Sequence, residues 1–346
     1  MDILIGIISA IIASFIIAKA CDGFETAADY LGRNLEEGTK GATINAVGSS
    51  MPELLVTIVY LFFFMDTTGF AGGIGTTAGS AVFNALVIPA LVIIFVLKKN
   101  KDAIINISKP VILRDGLVLI AAEIALIFII GDKLEWYHGL ILMSIYVAYA
   151  GWMIYRHKTS DQRTDEDAID ALRDMEEEDD EPELTTGKAV GLLLVSTLII
   201  SVASYILVYG CESIGGGLGI SGYFIAVIIA AAASSIPDTI LSIKDAGKGN
   251  YDDAVANALG SNIFDICFAL GLPVLMFTLI NGPINIAADV TANVVELRIV
   301  LLILTIITFF ILLLVKRITL KTGYALLAMY LGFVGFVIYR AMSVLA

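Results

Sequence analysis

Gly48-Ser49-Ser50-Met51-Pro52-Glu53-Leu54 returns 185 residues later as Ala233-Ser234-Ser235-Ile236-Pro237-Asp238-Thr239. A second pair follows in the same order. It reads Gly79-Ser80-Ala81-Val82-Phe83-Asn84 and, 181 residues on, Gly260-Ser261-Asn262-Ile263-Phe264-Asp265. All four stretches lie within long apolar runs. A single Ser-Ser-x-Pro-acid would carry little weight. Two of them, each followed by Gly-Ser-x-x-Phe-Asn/Asp at nearly one period, indicate a duplicated unit.

Composition sets the solvent for that unit. The 346 residues are 58% hydrophobic and 16% charged, with a mean hydropathy of +0.89. A soluble chain is ~45–50% apolar and ~25% charged, so the excess needs hydrocarbon to face and a soluble enzyme is excluded. The net charge of −13 argues against nucleic acid, which requires a basic face. Three cysteines and two separated histidines give neither a disulfide framework nor a zinc site. Met1 runs almost directly into an apolar stretch with no basic region before it, so no signal peptide is expected.

About 20 apolar residues span a bilayer as a helix. Ten candidates occur, at 3–19, 41–65, 70–97, 112–131, 137–156, 187–210, 218–243, 252–280, 297–316 and 322–345. The runs are continuously apolar, which suits helices and not barrel strands. With the first loop placed inside, 18 of the 21 Lys and Arg residues fall on the inside, and only Lys133, Arg298 and Arg340 fall outside. The expected fold is therefore an all-α polytopic membrane protein with ten transmembrane helices and both termini outside. Residues 1–156 form the first five-helix half, 157–186 a cytoplasmic linker and 187–346 the second half. An odd number of spans per half makes the second half enter inverted. The linker holds 13 acids and three basic residues. It lacks the Asp-x-Asp-x-Asn-Gly pattern of a Ca²⁺ loop and reads as a solvated connection.

The chemistry lies in the few acids within the spans. A mid-span carboxylate is costly and functional by default; Glu53, Asp238 and Asp265 qualify. Pro52 and Pro237 lack a backbone donor and break their helices just before an acid. The carbonyls freed around Ala46 and Ser49, and around Ala231 and Ser234, become candidate cation ligands. Ser49, Ser50, Ser80, Ser234, Ser235 and Ser261 add hydroxyl oxygens, and Asn84 an amide oxygen. Such an all-oxygen set suits a hard cation, and with six or more ligands it suits Ca²⁺ best. Gly48, Gly79 and Gly260 allow close helix approach. Asn262 reads as helix–helix glue. A lone proline would be a kink and a lone serine packing; matched acids in both halves are not explained that way.

These motifs make the chain similar to the calcium/cation antiporter superfamily. The likeness is carried most specifically by residues 42–90 and 227–273. Ser-Ser-Met-Pro-Glu and Ser-Ser-Ile-Pro-Asp resemble the sodium/calcium exchanger branch, and Asp238 with Asp265 resembles its potassium-dependent members. The resemblance implies alternating access around mid-membrane sites, with Glu53 and Asp238 as central Ca²⁺ carboxylates. It implies that Ser49, Ser50, Ser234, Ser235 and the Ala46 and Ala231 backbone oxygens complete the Ca²⁺ and Na⁺ sites. Ser80, Asn84, Ser261 and Asp265 would line flanking positions, and helices one and six would slide against the rest. The expectation is a multi-pass, monomeric plasma-membrane antiporter, not an enzyme, exchanging Ca²⁺ for Na⁺ without a cofactor. A Ca²⁺/H⁺ exchanger and K⁺ co-transport are the alternatives within the fold. An intramembrane aspartyl protease using Asp238 and Asp265 is disfavoured because no Gly-x-Gly-Asp precedes either residue. A channel is disfavoured because an inverted repeat fits alternating access better than a continuous pore.

Overall fold

The computed structural model describes residues 2–31, 46–64, 67–101, 103–159, 184–315 and 317–345. Residues 160–183, most of the expected linker, lie outside the described residues. The described chain is a helical bundle. Helix α1 covers Asp2–Leu31. A broken unit follows as α2 (Ala46–Ser49) and α3 (Met51–Phe63), then α4 (Thr67–Lys99), α5 (Lys109–Ile129) and α6 (Trp136–Thr159). Beyond the linker come α7 (Thr186–Leu218) and a second broken unit, α8 (Gly222–Ser234) and α9 (Ile236–Lys248). The chain ends with α10 (Tyr251–Asn281), α11 (Ala288–Leu314) and α12 (Leu320–Leu345).

Among the described residues, α1, α4, α7, α10, α11 and α12 are long and apolar enough to cross a membrane. The α8–α9 pair, bent by 40°, makes a seventh if counted as one span. Helix α5 differs from these by carrying three charged residues, Arg114, Asp115 and Glu123, within its apolar run. Asp115 and Glu123 are buried, away from lipid. Arg114 donates to both Asp115 oxygens, at 2.6 and 2.8 Å, and Tyr149 of α6 donates to Asp115 at 2.9 Å. The ion pair is thus satisfied internally, the condition for a buried charge.

Two departures from the sequence reading follow from what hydropathy measures. Helix α1 continues to Leu31 through the polar stretch after Lys19, because hydropathy reports hydrocarbon length and not helix length. The fold is also not purely helical: β1 (Lys133–Leu134) pairs antiparallel with β2 (Ile284–Asn285). That pairing ties the α5–α6 loop to the α10–α11 loop across the two halves of the chain.

Helices α1 and α7 pack chiefly on one another. Gly6 and Gly210 face each other so closely that a Cβ on either would lie 2.6–2.8 Å from the other's carbonyl oxygen. Ala13, Ile17, Ile200, Ala203 and Leu207 fill their shared core. Their outer faces expose Leu4, Ile8, Ile11, Phe15, Leu194 and Leu198, as a lipid-facing pair requires. The separate, larger core is centred on α4, which packs on α3, α8, α9, α10, α11 and α12.

The duplicated motif takes the same backbone shape twice. Ser50 sits at φ −96°, ψ 8° between α2 and α3; Ser235 sits at φ −83°, ψ 5° between α8 and α9. Each proline then occupies the first turn of the following helix, where its missing N–H costs least.

Candidate cation site

Both breaks point their acids at α4 and α10. Glu53, Asp238 and Asp265 are fully buried, as are Ser49, Ser50, Ser80, Asn84, Ser234, Ser235 and Ser261. Ser80 Oγ donates to Glu53 Oε1 at 3.2 Å and to Asp265 Oδ2 at 3.0 Å as alternative acceptors, and lies 2.8 Å from Ser235 Oγ. Ser235 Oγ also reaches Glu53 Oε1 at 3.4 Å. Around the other acid, Ser261 Oγ donates to Asp238 Oδ1 at 2.8 Å and Asn84 Nδ2 to Asp238 Oδ2 at 3.0 Å. Ser49 Oγ lies 3.4 Å from Ser261 Oγ. The site is therefore two hydrogen-bonded clusters, each containing residues from both halves. The Ser80–Glu53 bond in one half matches the Ser261–Asp238 bond in the other.

Ser50 and Ser234 lie beside these clusters, Ser234 next to Glu53 and Ser50 next to Asp265. Ser50 Oγ is buried at the break with no hydrogen-bond partner. Ser234 Oγ turns back to the Ala231 carbonyl at 3.2 Å, and the Ser235 N–H donates to that same carbonyl at 3.1 Å. Ala231 thus offers an oxygen with two donors from its own turn. The carbonyls four residues before Pro52 and Pro237, which lose their helical donor, are Gly48 and Ala233. Ala46 opens α2, the first described residue of that unit.

Three acidic or amide oxygens are left over. Glu53 Oε2, Asn84 Oδ1 and Asp265 Oδ1 are buried without a hydrogen-bond partner. An unpartnered buried oxygen is expensive, and a cation is what such oxygens attract. Among the described residues, no three His, Cys, Asp or Glu side chains form a metal-holding group by themselves. An ion here has to draw on serine hydroxyls and Asn84 as well as on carboxylates. That is the mixed oxygen set typical of Ca²⁺ and Na⁺ and not of zinc.

Local backbone geometry shapes the site further. A π-helical turn at Ala226–Ala230 in α8 precedes the second break, and another at Asp265–Ala269 in α10 begins on a site acid. Such turns concentrate at functional positions. Gly79 faces the first of them: a Cβ there would collide with the Val227 carbonyl and lie 2.6 Å from Ala231 Cβ. Gly48 meets only ordinary contacts, with Phe24 and Glu25 at 3.5–3.6 Å.

Asn262 Nδ2 donates to the Ala81 carbonyl at 3.0 Å, joining α10 to α4. Asn262→Ala is expected to lower the thermal midpoint, at a cost of about 1 kcal/mol, while leaving ion selectivity unchanged. Differential scanning fluorimetry beside a flux assay checks this; a selectivity change would make Asn262 a ligand.

The sequence reading missed polar residues next to this site. Arg298, expected at the outer edge of the 297–316 span, is a correction. Helix α11 starts at Ala288, so Arg298 falls within it and is 1% exposed. It donates to Thr77 Oγ1 at 2.7 Å and to the Ile74 carbonyl at 3.4 Å. Glu123 of α5 is a fourth buried mid-span acid, bonded through Oε1 to Thr305 at 2.8 Å. The mid-span rule that singled out Glu53 applies equally to Glu123. Asn257 Nδ2 donates to Ser242 Oγ at 3.2 Å, behind Asp238.

The fold and site together define a multi-pass helical membrane protein with a buried, oxygen-lined cluster of acids and hydroxyls. The profile of the sodium/calcium exchanger protein family matches residues 5–155 and 188–339, and the chain belongs to that family. The sodium/potassium/calcium exchanger 1 of Bos taurus is 43% identical over 98 residues, which is 28% of this chain and 8% of that relative's length. The putative antiporter CaxA of Alkalimonas amylolytica is 26% identical over 275 residues, covering 78% of this chain and 80% of its own. Two solved structures share the fold. One is the sodium-calcium exchanger NCX_Mj soaked with Na⁺ and Sr²⁺, at TM-score 0.59 and 22% identity over 95% of this chain and 97% of that one. The other is the H⁺/Ca²⁺ exchanger CAX, at TM-score 0.65 and 13% identity over 98% and 88%.

Proposed function

We propose that this chain exchanges Ca²⁺ for Na⁺ across the plasma membrane by alternating access, with Glu53 and Asp238 as the central carboxylates. The observation that carries the reading is the pair of clusters, in one of which Glu53 and Asp265, acids from opposite halves, share the Ser80 hydroxyl, and which leave carboxylate and amide oxygens unpartnered. Ten spans, built as inverted halves 1–156 and 187–346 with both termini outside, complete the reading. The matched breaks at Ser50 and Ser235 support that inversion.

The mechanism follows from charge. Empty, the acids repel one another in a low dielectric, which opposes reorganisation of the bundle. One Ca²⁺, or several Na⁺ on the same oxygens, removes that repulsion and lets the core move against the α1–α7 pair. The α1–α7 pair shares an apolar cluster with Val56, Val59 and Tyr60 of α3 and Ala226, Ala230 and Ala233 of α8, the surface along which it would slide. A second reading, K⁺ travelling with Ca²⁺, is favoured by the 43% local identity to the bovine relative. Ca²⁺ uptake into proteoliposomes, driven in turn by Na⁺, K⁺ and pH gradients, tests both. Uptake requiring only a Na⁺ gradient supports the first reading. An added K⁺ requirement selects the second, and uptake driven by a pH gradient alone overturns both.

A further inference from the structure

One turn beyond the acids of the duplicated unit, the two halves part. On α9, Ser242 follows Asp238 by a turn; on α10, Asn257 precedes Ser261 by a turn. The repeat places Thr57 of α3 and Thr76 of α4 at the matching positions. Asn257 is 7% exposed and the other three are fully buried. In the first half both hydroxyls are satisfied within their own helices. Thr57 Oγ1 donates to the Glu53 carbonyl at 2.8 Å, and Thr76 Oγ1 to the Gly72 carbonyl at 3.0 Å. The Thr57 methyl faces α4, where a Cβ on Gly73 would lie 3.1 Å from it. In the second half the polar groups meet across helices. Asn257 Nδ2 donates to Ser242 Oγ at 3.2 Å and reaches the Asp238 carbonyl at 3.5 Å, while Asn257 Oδ1 is buried with no partner. The first half builds the same break without such a bond, so the fold does not require it. An orphaned amide oxygen in a bilayer interior is costly.

We propose that Asn257 Oδ1, Ser242 Oγ and the Asp238 carbonyl form a peripheral Na⁺ position, one helical turn from the central acids towards the α9–α10 loop. Turning the Asn257 amide over puts its oxygen where its nitrogen stands, 3.2 Å from the hydroxyl and 3.5 Å from the carbonyl. The two amide atoms are nearly equal in size, so the turn needs no repacking. Three oxygens this close favour a cation among them. None carries a net charge. Ca²⁺ affinity depends on the number of charged ligands, so a neutral set favours a monovalent ion. The Asp238 carboxylate, on the residue that lends the carbonyl, adds attraction. The position uses neither the Asp238 carboxylate nor the Ser261 hydroxyl as a ligand, so Na⁺ can wait here while the central site holds another ion. The inference rests on the exchange reading above, in which Na⁺ is the counter-ion.

The test is the thermal midpoint of the purified full chain in NaCl, KCl and choline chloride at equal ionic strength, with Ca²⁺ absent or added. NaCl is expected to raise the wild-type midpoint above that in choline. Asn257→Leu should lose about 2 °C or more of that rise and keep the rise given by Ca²⁺. Asn257→Asp, which adds a ligand charge, should enlarge the Na⁺ rise. The difference made by Asn257→Leu should persist when Glu53→Gln has disabled the central site. Should Asn257→Leu not fold, Ser242→Ala takes its place and should lose the Na⁺ rise in the same way. The proposal is overturned by a Na⁺ rise that these substitutions leave intact, by an Asn257→Asp rise no larger than that of wild type, or by loss of the Asn257 effect in Glu53→Gln. A KCl rise equal to that in NaCl, or loss of the Ca²⁺ rise in Asn257→Leu, overturns it as well. A wild-type chain with no Ca²⁺ rise, or a Glu53→Gln chain with a normal one, defeats the exchange reading itself, and the Na⁺ comparison still decides the peripheral position.

Discussion

Glu53→Gln is expected to abolish the proposed Na⁺-driven Ca²⁺ uptake while leaving the protein folded. Glutamine keeps the shape and one carbonyl oxygen, so the Ser80 and Ser235 hydroxyls retain a partner. The variant loses a full negative charge at coordination distance from the ion, about 2.4 Å for Ca²⁺. At the effective dielectric of a protein interior, that loss is worth on the order of a hundredfold or more in affinity. The comparison is initial uptake rate in proteoliposomes of equal protein content, with monodispersity on size exclusion as the folding control. Normal uptake by Glu53→Gln would remove this residue from the site.

Gly79→Ala carries the largest expected effect on folding. Its new methyl would meet the Val227 carbonyl and Ala231 Cβ across the α4–α8 contact. Backbone cannot rotate aside as a side chain can, so either α4 or the Ala226–Ala230 turn must shift. Overpacking of this kind costs about 1–3 kcal/mol, and here the displacement also moves Ser80, one residue on. Transport should fall together with the thermal midpoint. Gly151→Ala in α6 is the matched control: a Cβ there meets nothing within 4 Å, and helix propensity alone favours the change. Equal midpoints for the two variants would show that the α4–α8 approach is looser than described.

The duplicated motifs were legible because proline and buried acids have consequences that do not depend on the partner. Pro52 and Pro237 had to break a helix, and the structure gives their serines nearly the same dihedrals. Glu53, Asp238 and Asp265 were visible as mid-span acids. Glu123 is equally a mid-span acid, but it has no acidic counterpart in the repeat. Arg298 was hidden for a different reason: its apolar run was read from residue 297, which placed a basic residue at the edge, whereas α11 begins at Ala288. What holds it is Thr77, 221 residues away in sequence, and no local pattern encodes such a contact. The two π-helical turns and the β1–β2 pairing also depend on tertiary packing, and periodicity gave no sign of them.

The central claim is that Ca²⁺ and Na⁺ compete for one set of buried oxygens built by both halves. Its most direct measurement is ⁴⁵Ca²⁺ bound to purified protein as Na⁺ replaces choline at constant ionic strength. The account predicts that Na⁺ displaces Ca²⁺ completely and cooperatively, and that Asp238→Asn and Glu53→Gln each lose the Na⁺-sensitive binding. Ca²⁺ binding that persists at saturating Na⁺, or that survives in both variants, would contradict it.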